Sequence, residues 1–164
     1  DTHGGSLRVY ANTGEDYWST APARIKFEEE KMGLDKLETY LDFAKKVERA
    51  GRRLRERLLA IKADGKMIVG YGAAAKSTTI LNYCGIGPET VEYIIDDSPL
   101  KQSTWTPGTR IPVVGPEELG GSKPDVILVL AWNFLAAIKA KTSHLGAVYI
   151  IPVDPPRRTE RSRS

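Results

Sequence analysis

The residues with the clearest chemical potential lie in one glycine-rich stretch, residues 66–81, KMIVGYGAAAKSTTIL. An apolar run ends in Gly70-Tyr71-Gly72, small residues and Lys76 follow, and the next residues favour a helix. Glycine lets a backbone approach a ligand closely, and a helix N-terminus offers unpaired N–H groups and the positive end of its dipole. This order of residues predicts a strand, a tight turn and a helix around a phosphate or a nucleotide.

Two known phosphate-binding patterns come close to this stretch. Residues 70–75, GYGAAA, fit the G-x-G-x-x-A pattern of dinucleotide-binding proteins, and Asp96 stands 24 residues after Gly72, near the expected ribose-binding acid. The P-loop pattern fits less well, because Ala75 replaces the glycine that lets that loop wrap a phosphate. An NAD(P)-binding oxidoreductase domain therefore stays open as an alternative, although the chain is short for a second mononucleotide-binding half.

Further side chains suit a ligand site. Lys76, at the start of the predicted helix, suits a charge-assisted contact with a pyrophosphate. Asp96 and Asp97 end an apolar run, and they favour either a turn or hydrogen bonds to sugar hydroxyls. Trp132 and Asn133 suit stacking and hydrogen bonding with a base or a sugar, although Trp132 equally suits a core position. Two histidines and one cysteine support no specific nucleophilic triad.

Apolar runs alternate with helical patterns along most of the chain. Strands are predicted near residues 67, 91, 126 and 147, and a long amphipathic helix over about 28–63 precedes them. The alternation predicts an α/β fold, a small Rossmann-like three-layer domain with a mostly parallel sheet. The expected order of the core strands is 2-1-3-4, which places a ligand site beyond their carboxyl ends, between the strands near 67 and 126.

The length of 164 residues suits one domain. We divide the chain into residues 1–27, a strand at Leu7–Ala11 with a loop; residues 28–153, the α/β domain; and residues 154–164, a basic tail expected to be disordered. The chain begins with Asp1 rather than Met. We therefore expect a piece of a longer protein, with the lone N-terminal strand belonging to a preceding domain.

Composition narrows the classes of function. The net charge is +3, of which the tail carries +2, so residues 1–153 lack the basic face that nucleic-acid binding needs. The single cysteine, Cys84, excludes an intrachain disulfide and a cysteine-based zinc site, and no metal site is predicted. No apolar run reaches the roughly 18 residues of a membrane span and no signal peptide opens the chain, so we expect a cytoplasmic protein.

Five groups of segments along the chain carry a resemblance to a known family. They are HGGSLRVY at 3–10, GYGAAAK at 70–76, LNYCG at 81–85, IDDSPLKQ and TPGTRIP within 95–112, and LAWNF at 130–134. In this order they resemble the C-terminal domain of the sugar C-methyltransferases, S-adenosylmethionine-dependent enzymes that act on nucleotide-linked deoxysugars. The resemblance covers about residues 1–153. Two positions depart from the family pattern: Ser77 stands where glycine is usual, and Ser98 stands where asparagine is common.

The resemblance implies a substrate-binding and docking role. In that family a zinc-binding part and an S-adenosylmethionine-binding domain precede this domain, which helps to hold the nucleotide-sugar. This chain is then expected to bind no S-adenosylmethionine, to be inactive alone, and to partner with the upstream methyltransferase domain. The predicted diphosphate contacts are Gly70, Gly72, Ala73, Ala74 and Lys76, and Ser77 is a further predicted substrate-binding residue. The predicted nucleotide or sugar contacts are Asp97, Lys101, Trp132 and Asn133. A non-catalytic interaction module, with the long helix binding a partner, is the further alternative.

Overall fold

A computed structural model describes residues 9–11, 13, 19–121 and 123–152. Two structural units follow each other along the chain, residues 1–49 and residues 50–164. The N-terminal strand predicted at Leu7–Ala11 falls partly outside the described residues, and Val9–Ala11 have no regular secondary structure. The tail predicted at 154–164 also lies outside the described residues.

The long helix predicted over 28–63 is instead two helices, α1 (Ala21–Lys31) and α2 (Leu37–Ala63). They are separated at Gly33, which has a φ of +71° and whose carbonyl oxygen accepts a hydrogen bond of 2.7 Å from Thr39 Oγ1. The helix starts earlier than predicted, because Pro22, assigned to the loop, occupies the first turn of α1, where its missing N–H costs nothing.

The sheet has six strands. They are β1 (Ile68–Tyr71), β2 (Ile94–Ile95), β3 (Thr104–Trp105), β4 (Pro112–Val114), β5 (Val126–Val129) and β6 (Val148–Ile150). Their order is β3-β4-β2-β1-β5-β6, and every neighbouring pair is parallel except β3 with β4. The four predicted core strands, now β1, β2, β5 and β6, have the predicted order 2-1-3-4, so the Rossmann-like α/β fold is confirmed. The hairpin of β3 and β4 extends the sheet beyond β2.

Helices cover both faces of the sheet. The remaining helices are α3 (Ala75–Cys84) and α4 (Leu135–Thr142), with short 3₁₀ turns at Pro116–Gly120, Trp132–Phe134 and Ser143–Leu145. Strands β1 and β5 are buried along their whole length, as is typical of central parallel strands. On one face the buried cluster joins Leu58 of α2 and Leu81 of α3 to Leu128. On the other face the buried cluster joins Ile138 of α4 to Ile127, which confirms the three layers.

No helix among the described residues is both long enough and apolar enough to cross a bilayer. The strand predicted near residue 91 begins only at Ile94, because Thr90 and Val91 both donate their N–H groups to the Gly87 carbonyl in a turn. The turn shortens β2 and leaves its carboxyl end at Ile95, directly before Asp96 and Asp97.

Candidate functional site

The loops that follow β1, β2 and β5 lie together at the carboxyl ends of these strands. Gly72 N donates to the Ile95 carbonyl at 2.7 Å, and Leu130 N donates to the Tyr71 carbonyl at 2.9 Å. Ala73 N donates to Asp96 Oδ2 at 2.7 Å. The backbone therefore holds the glycine-rich loop against the loop after β2 and the start of the loop after β5.

Both glycines of the loop are explained by contacts inside the protein. Gly70 lies within β1, and a Cβ atom there would stand 2.8 Å from Ile94 Cγ1. Gly72 has a φ of +98°, and its Cβ would stand 2.4 Å from the Ala131 Cβ, closer than non-bonded carbons approach. These positions exclude side chains whether or not a ligand binds, so the two glycines alone do not indicate a phosphate.

Asp96 is the centre of the loop network. Its Oδ2 accepts hydrogen bonds from Ala73 N and, at 3.2 Å, from Lys101 Nζ, while its Oδ1 accepts one of 2.9 Å from Ser98 N. Gln102 Nε2 donates to its carbonyl at 3.0 Å. Asp96 is only 6% exposed, so it ties the loops together rather than offering its carboxylate to a ribose. This placement disfavours the NAD(P)-binding alternative, which needs that acid for a cofactor.

Two of the predicted ligand residues are thereby occupied within the protein. The N–H of Ala73 and the ammonium of Lys101 both face the Asp96 carboxylate. Ser77, the third residue of α3, is fully buried, and its hydroxyl donates to the Ala74 carbonyl. The Ser77 hydroxyl therefore stabilises the turn at the start of α3, and the ligand contact assigned to Ser77 stays a prediction.

The N-terminus of α3 has no cap from a side chain. Ala74, the residue before the helix, has an extended backbone and makes no side-chain cap hydrogen bond, and the first turn holds no acidic residue. Helix starts of this kind leave N–H groups directed along the axis with a partial positive charge. This end of α3 is therefore electrostatically suited to an anion.

Lys76 and Trp132 meet beside this helix start. Lys76 Nζ lies 4.8 Å from the centroid of a Trp132 ring, within cation–π distance. Lys76 is exposed on the first turn of α3, while Trp132 is half-buried in the 3₁₀ turn after β5, next to the exposed Asn133. Two residues that are 56 positions apart in the sequence, and that the sequence assigned separately to one site, thus lie in contact.

Tyr71, Asp97 and Lys141 form a second network at the same end of the sheet. Tyr71 Oη donates to Asp97 Oδ1 at 2.8 Å, and Lys141 Nζ of α4 lies 2.8 Å from Asp97 Oδ2. The hydrogen bond from Lys141 lowers the pKa of Asp97, and the bond from Tyr71 adds to this. Burial is the main cause that raises the pKa of Tyr71 well above its ordinary value, and the Asp97 carboxylate raises it further. Tyr71 is therefore a neutral donor and Asp97 an anion at neutral pH.

Sequence reasoning missed Tyr71, Lys141 and the bridging role of Asp96. Tyr71 looked like one of seven interchangeable tyrosines, and Lys141 lies 44 residues from Asp97. The available signal for Tyr71 was its position at the end of a buried strand, where a phenol needs a hydrogen-bond acceptor nearby. No local pattern pointed to Lys141.

Comparison with known proteins identifies the family of the chain. The family model described as the C-methyltransferase C-terminal domain matches residues 1–154. The chain belongs to this family. It is also 36% identical over 162 residues to the C-methyltransferase NovU of Streptomyces niveus, an alignment that covers 96% of this chain and 39% of NovU. The resemblance in the sequence is thus confirmed, and the chain spans about two fifths of the length of this curated relative.

A cavity of this C-methyltransferase C-terminal domain lies at the amino ends of the strands, at the end of the sheet opposite to the candidate site. It has a volume of about 610 Å³ and is bordered by the starts of β5 and β6, with Arg57, Lys66 and Lys123 at its rim. Lys66 is paired there with Asp125 at 3.1 Å. None of the predicted site residues borders this cavity. Among the described residues, no group of three or more histidine, cysteine or acidic side chains could hold a metal ion.

Proposed function

We propose that this domain holds the diphosphate of a nucleotide-linked sugar for an S-adenosylmethionine-dependent C-methyltransferase. Membership of the C-methyltransferase C-terminal domain family and the similarity to NovU support the reaction class. The observation that carries the substrate class is the Lys76–Trp132 pair beside the uncapped start of α3. The start of α3 suits the phosphate groups of a nucleotide, and the aromatic ring beside it suits the base.

The diphosphate contacts in this proposal come from the first turn of α3. The positive end of the helix dipole and the Lys76 ammonium supply the positive charge that a pyrophosphate needs. Gly70 and Gly72 give the loop its close-packed path, and Ala74 is the residue before α3. The Ala73 N–H and Lys101 hold that path through Asp96. The phosphate is therefore placed at α3 itself rather than deeper in the glycine-rich loop.

The nucleoside and sugar contacts come from the neighbouring loops. The Trp132 ring offers a surface for stacking, and Asn133 beside it is the residue to which we assign hydrogen bonds with the base or the sugar. Asp97, half-exposed and anionic, suits a hydroxyl group of the ribose or of the sugar. Positioning of this kind contributes to catalysis by fixing the substrate geometry, and it requires no acid or base on this domain.

Methyl transfer itself is assigned to another part of the full-length protein in this proposal. S-adenosylmethionine would bind there, and this chain would contribute the binding site for the substrate diphosphate and a docking surface. We also place the protein in the cytoplasm. The single cysteine, Cys84, is free and buried, which agrees with a reducing compartment.

The docking surface is proposed for the first structural unit, residues 1–49. Helix α1 has no buried residue, and between α1 and the first half of α2 five large apolar side chains other than tyrosine are more than half exposed. They are Phe27, Met32, Leu37, Leu41 and Phe43. Apolar surface of this extent commonly marks an interaction site. Because the chain covers only 39% of NovU and its family is described as a C-terminal domain, we propose that the methyltransferase part covers this face.

Titration calorimetry tests the substrate class. The chain is titrated with dTDP-, UDP- and GDP-linked hexoses, and at least one of them should bind. Lys76→Ala should weaken that binding about tenfold or more, because it removes a charge-assisted contact. Lys123→Ala is the matched control, since Lys123 lies at the opposite end of the sheet and should leave the affinity unchanged. The proposal fails if no nucleotide-sugar binds, or if Lys76→Ala binds like the wild type.

A further inference from the structure

We infer that Lys76 occupies the face of Trp132 on which a nucleobase would stack, so that a diphosphate exposes this face by drawing Lys76 away. The inference rests on the proposed function. It makes the site selective for nucleoside diphosphates over nucleosides, because only the diphosphate provides a better partner for the ammonium. Lys76 is then a specificity-determining residue as well as a phosphate ligand.

The geometry makes the two occupants exclusive. Stacked aromatic rings have centroids roughly 4.5–7 Å apart. Lys76 Nζ already stands 4.8 Å from the Trp132 centroid, inside the space that the stacked base requires. Trp132 is also half-buried, so the part of the indole that a ligand can reach is limited.

Lys76 is the lysine at this end of the sheet that is available to move. Lys101 is paired with Asp96 at 3.2 Å, and Lys141 is paired with Asp97 at 2.8 Å. Within the described part of the chain, Lys76 has no carboxylate partner, and its ammonium contacts the Trp132 ring. An exposed lysine on a helix has several rotatable bonds, so it can leave the ring without a backbone change.

The strengths of the two contacts favour the exchange. A cation–π contact at an exposed site favours the paired state about two- to fivefold. A hydrogen bond between charged groups, such as ammonium and phosphate, favours its paired state roughly ten- to a hundredfold. A diphosphate bound at the start of α3 therefore outcompetes the indole for Lys76. A nucleoside without phosphate must also displace Lys76 from the ring, but it forms no ammonium–phosphate contact that would offset this loss.

The consequence is an opposite effect of one substitution on two ligands. Lys76→Ala removes the competitor for the ring, so the affinity for a phosphate-free nucleoside should rise about two- to fivefold. The same substitution removes a phosphate ligand, so the affinity for the nucleoside diphosphate should fall about tenfold or more. If Lys76 and the base bound independently, the nucleoside affinity would stay unchanged.

The test titrates wild type and Lys76→Ala with uridine, thymidine, UDP and dTDP, followed by the NMR signal of the Trp132 indole N–H. Lys76→Arg is the second variant, since it keeps the cation and should restore the weak nucleoside binding. Alanine is a strong helix former, so Lys76→Ala should fold, and circular dichroism confirms this. Opposite changes for nucleoside and diphosphate support the inference.

Two other outcomes are distinct. If UDP or dTDP binds through Lys76 but nucleoside affinity is unchanged or lower in Lys76→Ala, the inference is overturned and the proposed function stands. If neither diphosphate binds the wild type, the proposed function fails and the inference fails with it.

Discussion

At the scale of the residue, two constraints require glycine at position 72: its backbone conformation and the lack of room for a side chain. Its φ of +98° strains any L-residue, and an alanine Cβ would stand 2.4 Å from the Ala131 Cβ. Gly72→Ala should therefore lower the free energy of unfolding by about 3 kcal/mol, combining backbone strain with overpacking. Gly65 is the matched control, because its φ is +74° but its Cβ would meet nothing within 4 Å.

Urea unfolding followed by far-ultraviolet circular dichroism measures both variants. Gly65→Ala should cost only the conformational part, about 1 kcal/mol. Equal costs for the two substitutions would contradict the close approach of the loops after β1 and β5.

Tyr71 gives a prediction about pH. The phenol is 3% exposed, and burial, together with its hydrogen bond to Asp97, raises its pKa in the folded protein. A raised pKa means that the folded state holds the proton more tightly than the unfolded state. The stabilisation is therefore complete below the ordinary pKa of about 10 and is lost as the pH rises above it.

Tyr71→Phe removes this dependence. It should cost about 1 kcal/mol at pH 7, through the lost hydrogen bond. Urea unfolding at pH 8, 10 and 11 should show the stability of the wild type falling towards that of Tyr71→Phe above pH 10. Parallel pH profiles for the two proteins would mean that the Tyr71 phenol is not buried against Asp97.

At the scale of the element, Asp96 joins the loops after β1 and β2. Asp96→Asn replaces one acceptor oxygen by an NH₂ group, which has to face either the Ala73 and Lys101 donors or the Ser98 N–H. The expected loss is about 2 kcal/mol, since hydrogen bonds to a charged group are among the stronger ones. The amide of Ala73 should also exchange its hydrogen faster.

Asp97→Asn is the neighbouring control for this prediction. Its ion pair with Lys141 is half-exposed, and pairs of that kind contribute about 0–1 kcal/mol. Thermal unfolding and amide hydrogen exchange of both variants measure the difference. A larger loss for Asp97→Asn than for Asp96→Asn would reverse the assigned roles of the two aspartates.

The elements that the sequence predicted best are those with a strong local pattern. β1 and β5 are buried on both faces, so their uninterrupted apolar runs indicated central strands and, with the helices, the sheet order. β3 carried no such signal, because it has only two residues, Thr104 and Trp105, and both are exposed. The start of α1 at Ala21 was missed because Pro22 and its polar neighbours favoured a loop.

The candidate site divides in the same way. Lys76 and Trp132 were predicted from their places in the segments that follow β1 and β5, since topology brings such segments together. The Asp96 bridge and the Tyr71–Asp97–Lys141 network depend on side-chain directions, which residue spacing does not specify. The two glycines suggested a phosphate but also serve the packing of the sheet, and composition does not distinguish these causes.

At the scale of the whole molecule, the two structural units use their apolar residues differently. In the second unit, Leu58 of α2 is fully buried in the core of the α/β domain. In the first unit, Leu37 and Leu41 of the same helix are 66% and 51% exposed. The first pattern stabilises a fold, whereas the second leaves apolar surface exposed, as is common at interaction sites.

The combined change Leu37→Gln and Leu41→Gln separates docking from folding. Glutamine matches leucine in helix propensity and the two positions are exposed, so the free energy of unfolding should change by no more than about 0.5 kcal/mol. Leu58→Ala should cost about 2–5 kcal/mol, because it opens a cavity in the core.

Affinity for the methyltransferase part, supplied as NovU without its matched region, should fall about tenfold in the double variant, since both side chains leave the contact. Lys46→Gln is the control variant on the same helix, and it should retain that affinity. Calorimetry measures the binding, and sedimentation equilibrium of the chain alone tests whether a second copy covers this face instead. Self-association that the double variant abolishes, or binding that the double variant leaves unchanged, would contradict docking of the methyltransferase part on α2.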